Sequence, residues 1–499
     1  MTTVLLAANG NLNFEWGLLA PEFILAAFAG AIILIDLFAN RANKEALGYF
    51  AALGPLIAGA VSLLWIDDHK DFARLIDVNN YTTFFRVFFA GIGFFTCIAS
   101  ARFVRDRLLH AGEYYAFILL AIIGANGMAA ARELLTAYIS LELLSFSLYV
   151  LVSYAKYDLK SNEAGLKYML LGAFSSAIFL YGIGMVYGAT GSTDFATIGQ
   201  KVSGDISGID SALFFGMALM IGGLGFKVAA VPFHMWTPDA YEGAPLPVTA
   251  YISAISKSAG FALFLKVFVQ GFLPLVDDWK YYIAVLAVLT MALGNLVAIQ
   301  QHNIKRLLAY SSISQVGYLL IGIATLSQAS AGALVLHMTG YVVTNLAAFV
   351  AIIIYYNWTG KDEIKDFAGL AARAPFVALS LTIALFSLSG MPLFAGFATK
   401  FILFQSAADQ GMLWLAGIAV FFSFVSLYYY LLVIKQMYLE KPEEDTRFPI
   451  PWREYAALAV LVLGVFLVGL YPQPVYDAVD SSTSSIFSSA DNGSVSAQP

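Results

Sequence analysis

One glutamate and a handful of lysines and histidines fall within stretches of this 499-residue chain that are otherwise apolar or small. Glu142 lies in Leu141-Glu142-Leu143-Leu144-Ser145, with apolar residues a full helical turn away in either direction. Lys227 closes Gly222-Gly223-Leu224-Gly225-Phe226-Lys227, just ahead of a proline-rich run that carries His234. Lys257 stands among hydroxyls in Ser253-Ala254-Ile255-Ser256-Lys257-Ser258, and Lys400 ends Pro392-Leu393-Phe394-Ala395-Gly396-Phe397-Ala398-Thr399-Lys400. Lys167 and His337 lie in further apolar segments. Burial disfavours the charged form of any lysine and a nearby carboxylate restores it, so a buried lysine–glutamate pair is a two-state device. At about 4 Å and an effective dielectric near 20 the attraction is about 4 kcal/mol, enough to bias such a switch by orders of magnitude. A chain of lysines with one carboxylate can therefore hand protons along, with histidine as a further carrier. Each residue also has an ordinary use: Glu142 neutralising a lysine, Lys167 snorkelling to the surface, a histidine bonded to a backbone carbonyl.

Rival chemistries are hard to find. The five histidines are too dispersed to outline a haem or metal site. Gly223-Leu224-Gly225 lacks the third glycine and the preceding strand of a dinucleotide fingerprint. The single cysteine, Cys97, excludes a disulfide framework, a CxxC redox pair and a cysteine-ligated cluster. A net charge of −6 argues against nucleic acid as a partner.

The elements that must position these residues follow from composition. Hydrophobic residues make up 60% of the chain and charged ones 12%, against about 45–50% and about 25% in an average soluble domain. No soluble interior hides that much apolar surface, so the chain is an all-α polytopic membrane protein. Fourteen segments meet the length of a spanning helix. They run near 17–38, 46–66, 81–101, 113–130, 134–155, 164–189, 211–231, 249–273, 280–299, 307–327, 329–356, 376–407, 412–435 and 455–471. The first follows a stretch without lysine or arginine, unlike a cleaved leader, and is expected to be retained. The seventh ends in Val231-Pro232-Phe233-His234-Met235-Trp236-Thr237-Pro238, and the twelfth is interrupted at Gly390-Met391-Pro392. The serine-rich close, 481–499, is expected to be disordered.

With the sides numbered alternately, the loops on one side collect sixteen lysines and arginines and the opposite loops five. That bias predicts an even number of spans with both termini on the non-cytoplasmic side. Six basic residues remain inside spans: Arg86, Lys167, Lys227, Lys257, Lys266 and Lys400. Each costs roughly 3 kcal/mol at mid-bilayer, so the set marks a pathway or structural pairs. Arg86 and Lys266 read as structural or snorkelling residues.

Two broken helices five spans apart, each beside a lysine, suggest paired repeats: spans four to eight and nine to thirteen, inserted in opposite orientations. The corresponding divisions are an N-terminal segment 1–112, repeats 113–273 and 274–437, a C-terminal helix in 438–480 and the tail 481–499. The Leu141–Ser145 run, the run Gly225–Tyr241 through Lys227 and the proline break, and Arg306-Leu307-Leu308-Ala309-Tyr310-Ser311-Ser312 resemble the antiporter-like membrane proteins. That family holds the proton-pumping membrane subunits of respiratory complex I (NADH–quinone oxidoreductase) and the multisubunit sodium/proton antiporters. Tyr341-Val342-Val343-Thr344-Asn345-Leu346-Ala347-Ala348-Phe349, with no lysine in that span, and the twelfth span ending in Lys400 resemble the N branch, the counterpart of mitochondrial subunit 2.

The resemblance implies a proton-translocating subunit driven by quinone reduction elsewhere. Glu142 would partner Lys227, Lys167 would modulate that pair, and Lys257 would bridge half-channels. Lys400 would face the exit, and His234 and His337 would belong to the relay. It further implies no cofactor in this chain, with NAD, FMN, iron–sulfur clusters and quinone bound by other subunits. Partners would be neighbouring antiporter-like chains, small membrane subunits and membrane lipids. The rival reading is a subunit of a sodium/proton antiporter, and a third is a structural joint between pump modules.

Overall fold

The computed structural model describes residues 14–40, 44–204, 206, 208–442 and 447–495. Thirteen helices among the described residues are long and apolar enough to cross a membrane. They follow the expected segments closely, from Trp16–Phe38 to Trp452–Leu470. The expected twelfth span is present as two shorter pieces, Pro375–Ser389 and Ala395–Asp409. Spans are numbered here with that pair as the twelfth. The broken helices of the reading from sequence are both present, because proline and glycine stand where the helical ladder would need a donor or a right-handed residue.

The centre of the bundle is built from three spans. Every residue of the eighth, Leu246–Gln270, is buried, and the tenth (Ile304–Ala324) and eleventh (Gln328–Thr359) are almost as fully enclosed. Spans near the rim, such as the first and fourteenth, bury one face and turn leucine, isoleucine and phenylalanine outward. That is how a lipid-solvated helix differs from a core helix: both are apolar all round, and only the neighbours differ. Neighbouring spans in the chain pack as antiparallel pairs: second with third, fourth with fifth, ninth with tenth.

The first break follows Val228. Ala229 takes a left-handed backbone (φ 69°), the Val231–Pro232 bond is cis, and a short helix, Trp236–Gly243, precedes the eighth span. The backbone groups released there are claimed by side chains. The Val231 amide donates to Thr290 Oγ1 (3.0 Å), the Trp236 indole to the Phe226 carbonyl (2.8 Å) and the Ser256 hydroxyl to the Lys227 carbonyl (3.2 Å). At the second break Gly390 (φ 89°) and Leu393 (φ 78°) are left-handed. The Leu388 carbonyl accepts from Lys400 (2.9 Å) and Gln315 (3.0 Å), and the Ser389 carbonyl accepts from Ser423 (2.8 Å). A broken helix survives inside a membrane only when freed backbone groups are satisfied in this way.

Between the second and third spans a hairpin pairs Lys70–Phe72 with Ile76–Val78, setting Asp71 opposite Asp77. Arg132 lies within 3.7–3.8 Å of both carboxylates and 3.2 Å from Asp194, offsetting like charges that would otherwise repel across the strands.

The tail corrects an expectation. Serine-rich residues expected to be disordered from 481 onward form most of a helix, Gln473–Val495, and the segment 438–480 therefore holds one helix and the beginning of another. The remainder of that expectation, 496–499, lies outside the described residues. Composition misled because the inward side chains are few but periodic: apolar Val475, Val479 and Ile486 share one stripe with the small hydroxyls Ser482 and Thr483, and all but Val475 are fully buried. This strap crosses the ends of the third, eighth and eleventh spans, and Asn80 and the Tyr81 amide donate to Ser481 (2.9 Å) and Ser485 (3.3 Å).

The second break depends on one close approach. The amide of Gly396 meets the Ser387 hydroxyl at 3.0 Å, and a Cβ at that position would collide with the Ser387 carbonyl. Gly396→Ala is expected to cost about 1–3 kcal/mol through overpacking, read as a lower melting temperature and less chain retained in membranes. Gly184→Ala, on an open helix face, is expected to leave both unchanged.

Candidate functional site

The buried bases divide into two classes by what holds them. Arg86 makes a two-pronged ion pair with Glu22, both contacts at 2.9 Å, and Asn126 donates to the same carboxylate (3.1 Å). Lys266 lies 3.6 Å from Asp77 and donates to the Ala129 and Ala130 carbonyls at the end of the fourth span (3.3 and 3.1 Å). These two are locked by a carboxylate, as the structural reading expected.

Lys227, Lys257 and Lys400 are equally buried, yet among the described residues none makes an ion pair. Lys227 donates to Ser145 Oγ (2.9 Å), which itself donates to the Leu141 carbonyl (2.6 Å). Lys257 donates to the Tyr241 hydroxyl (2.5 Å) and lies over the same ring at 4.8 Å. Lys400 donates to the Leu388 carbonyl and to Ser423 Oγ (3.1 Å), with the Tyr318 ring 4.4 Å away. Neutral oxygens and ring faces stabilise an ammonium without fixing its proton count, whereas a carboxylate favours the charged form outright.

Glu142 does not touch Lys227. Its carboxylate accepts a hydrogen bond from Ser176 of the sixth span. Ser145, one turn further along the same helix, takes the lysine instead. A cavity of about 10 Å³ lies beside Lys227, lined also by Ser145, Tyr149, Ser175 and Ser176, about the room of a single water molecule.

From Lys257 the hydroxyls continue across the bundle. Tyr241 Oη lies 3.4 Å from Ser312 Oγ, which lies 2.8 Å from Tyr341 Oη of the eleventh span. Asn345 donates to Ser253 Oγ (2.6 Å), and Thr344 shares a hydrogen bond with Ser387 at the second break (2.9 Å). His337 Nδ1 bonds Thr399 Oγ1 (2.9 Å), one residue before Lys400, and its Nε2 is buried with no partner among the described residues. Gly340 lets the eleventh span come this close to Thr399.

Two expected members stand apart. Lys167 is half exposed and pairs with Glu163 (2.9 Å) and Asp239 (3.0 Å). Asp239 in turn meets Arg306, which also holds Glu242. Lys167 thus joins a network at the end of the bundle and contacts neither Glu142 nor Lys227. His234 sits in the first break, half-buried, with its Nδ1 unpartnered among the described residues. Sequence reasoning missed Tyr241, Ser312 and Tyr341, although Tyr241 ends the distinctive run through the first break and Ser312 ends the Arg306 run. A hydroxyl among apolar residues is too common to signal itself.

Residues 131–426 match the family model described as NADH:quinone oxidoreductase/Mrp antiporter, TM. The chain belongs to this family. It is 42% identical over 476 residues to NADH-quinone oxidoreductase subunit N of Moorella thermoacetica, covering 94% of this chain and 98% of that one. It is 38% identical to NAD(P)H-quinone oxidoreductase subunit 2 of Synechocystis, covering 96% and 95%. Among solved structures it is similar to a chain of respiratory complex I from Thermus thermophilus, with a TM-score of 0.77, 30% identity, and 92% and 99% of the two chains covered. A chain of the Mrp complex from Dietzia shares the fold, with a TM-score of 0.82 at 20% identity and coverage of 94% and 98%. Similarity to members of the NADH:quinone oxidoreductase/Mrp antiporter family thus extends along almost the whole chain, well past residues 131–426.

The two ways of holding a base predict different responses to substitution. Glu22→Gln leaves the Arg86 guanidinium buried without its counter-charge and is expected to cost about 3–5 kcal/mol. The double change Glu22→Leu with Arg86→Met removes both charges and is expected to cost less than the single one. Melting temperatures of the purified assemblies compare them, and a double variant worse than Glu22→Gln would contradict this account.

Proposed function

We propose that this chain is the proton-translocating membrane subunit, of the N type, of a bacterial NADH:quinone oxidoreductase. The carrying observation is a buried line of bases without counter-ions among the described residues, in a chain whose similarity to N-type subunits runs nearly end to end. Lys227, Lys257 and Lys400 are held by hydroxyls, carbonyls and rings, and Tyr241, Ser312 and Tyr341 extend a line of hydroxyls from Lys257. Glu142 is the carboxylate that biases Lys227: near, it stabilises the ammonium; withdrawn onto Ser176, as here, it lets the proton move on. His337 and Thr399 lead toward Lys400. Lys167 acts on the pair only at a distance, through Asp239, and His234 completes the first break. Water must bridge the remaining gaps.

The chain resides in the bacterial plasma membrane, with the more basic loops facing the cytoplasm and both described ends of the chain on the other side. The two breaks support a pair of repeats in opposite orientation, spans four to eight and nine to thirteen, with Lys227 and Lys400 as counterparts. Redox cofactors and quinone belong to partner subunits, and this chain supplies the proton path that their reaction drives. The sodium/proton antiporter reading rests on the shared family model and on a fold likeness at 20% identity, and is less supported than the nearly end-to-end similarity to an N-type subunit at 42% identity.

Lys227→Ala is expected to reduce NADH-driven proton translocation several-fold in an assembled complex, as measured by quenching of a pH-sensitive dye in membrane vesicles. Tyr241→Phe, which keeps the ring over Lys257 and removes the hydroxyl, is expected to slow translocation while leaving assembly intact. Normal pumping in Lys227→Ala would overturn the role of the first break. Sodium-sensitive growth with unaffected NADH oxidation after deletion would favour the antiporter.

A further inference from the structure

At the arginine-rich end of the bundle the second, third and fourteenth spans leave a groove of about 450 Å³. Its floor is apolar, formed by Phe94, Phe95 and Ile98 of the third span with Ala457 and Val460 of the fourteenth. Its mouth is not. Arg453 lies over the rings of Tyr49 (4.4 Å) and Trp452 (5.4 Å), and among the described residues it makes no ion pair. The other charges near this mouth largely pair with one another: Arg105 with Glu45 and Asp106, and Arg102 with Asp106 at 3.7 Å. Glu454 turns inward and is 5% exposed. Among the described residues Arg453 is therefore the one cation the groove presents outward. Trp452 (73% exposed) and Tyr455 stand beside it, where indole and phenol rings mark the membrane–water boundary.

We propose that this groove is a binding site for one anionic phospholipid of the more basic leaflet side, with its phosphate on Arg453 and one acyl chain laid along Phe95, Ile98 and Val460. Charge complementarity selects the occupant. A guanidinium offers paired donors to phosphate oxygens, and an apolar channel running from that cation toward mid-membrane fits hydrocarbon. A protein neighbour would need an acidic residue at the boundary and a helix thin enough to enter between Phe94 and Val460. A basic pocket between spanning helices at headgroup depth is the setting in which anionic headgroups bind. A lipid there would pin the fourteenth span to the second and third at the end of the bundle opposite the strap.

The test uses the intact complex carrying this chain, extracted in mild detergent and exchanged into phosphatidylglycerol whose acyl chain bears a photoactivatable diazirine. Irradiation and peptide mapping are expected to place labels on the segments around Phe95 and Val460. Arg453→Ala is expected to reduce those labels several-fold while labels elsewhere on the chain stay constant. Val460→Trp, which fills the channel and keeps Arg453, is expected to do the same and serves should Arg453→Ala fail to assemble. A phosphatidylcholine probe of equal acyl length should label the groove less. Equal labelling by both probes and in both variants would reduce the site to ordinary solvating lipid and overturn the proposal. So would protection of the groove by peptides of a neighbouring subunit.

Discussion

A membrane interior offers no water to a polar group, and every other feature of this chain depends on that constraint. A released carbonyl or a lone ammonium must find its partner in another part of the same fold. The two helix breaks meet the demand with side chains: Thr290 and Ser256 of other spans and the break's own Trp236 at the first, Gln315 and Ser423 of other spans and the twelfth span's own Lys400 at the second. Lys400 shows how tightly structure and site are coupled, because the ammonium that would carry a proton also caps the Leu388 carbonyl. The second break and its lysine form one unit, each satisfying what the other leaves open.

The same constraint separates a structural charge from a mobile one. Arg86 and Lys266 face carboxylates, and the resulting pairs hold the first, third, fourth and eighth spans and the hairpin together. Lys227, Lys257 and Lys400 face hydroxyls, carbonyls and rings, which stabilise the charge less and survive its loss. Such an ammonium can become an amine without leaving a naked carboxylate behind in the bilayer. Glu142 is the exception that makes control possible, since it is half-buried, hydrogen-bonded to Ser176, and one helical turn from the serine that holds Lys227.

Most of the architecture was legible from hydropathy. Apolar runs of spanning length have few alternatives, and each expected segment coincides with a helix to within a few residues, including the interruptions at Pro232 and Gly390. The hairpin at 70–78, the short helix Phe195–Val202 and the strap Gln473–Val495 were not legible. All three lie outside long apolar runs, where a few buried residues such as Val479 and Ile486 decide the conformation and composition says little.

The sequence by itself determined that the chain lives in lipid, where two of its apolar helices break, and most of the ionisable residues trapped inside. Cost explains this: a charge in hydrocarbon is too expensive to be incidental, so its presence is readable without coordinates. Only the tertiary structure decided what each trapped charge meets. Lys266 and Lys257 lie nine residues apart on one fully buried helix, and the sequence alone names a partner for neither. The fold sets the first against Asp77 and the second against Tyr241. It likewise separates Lys167 from the pair it was expected to modulate, and draws Ser312 and Tyr341 from distant spans into one line. Partner identity depends on which helices pack together, and residues 29 to 92 positions apart become neighbours only when they do.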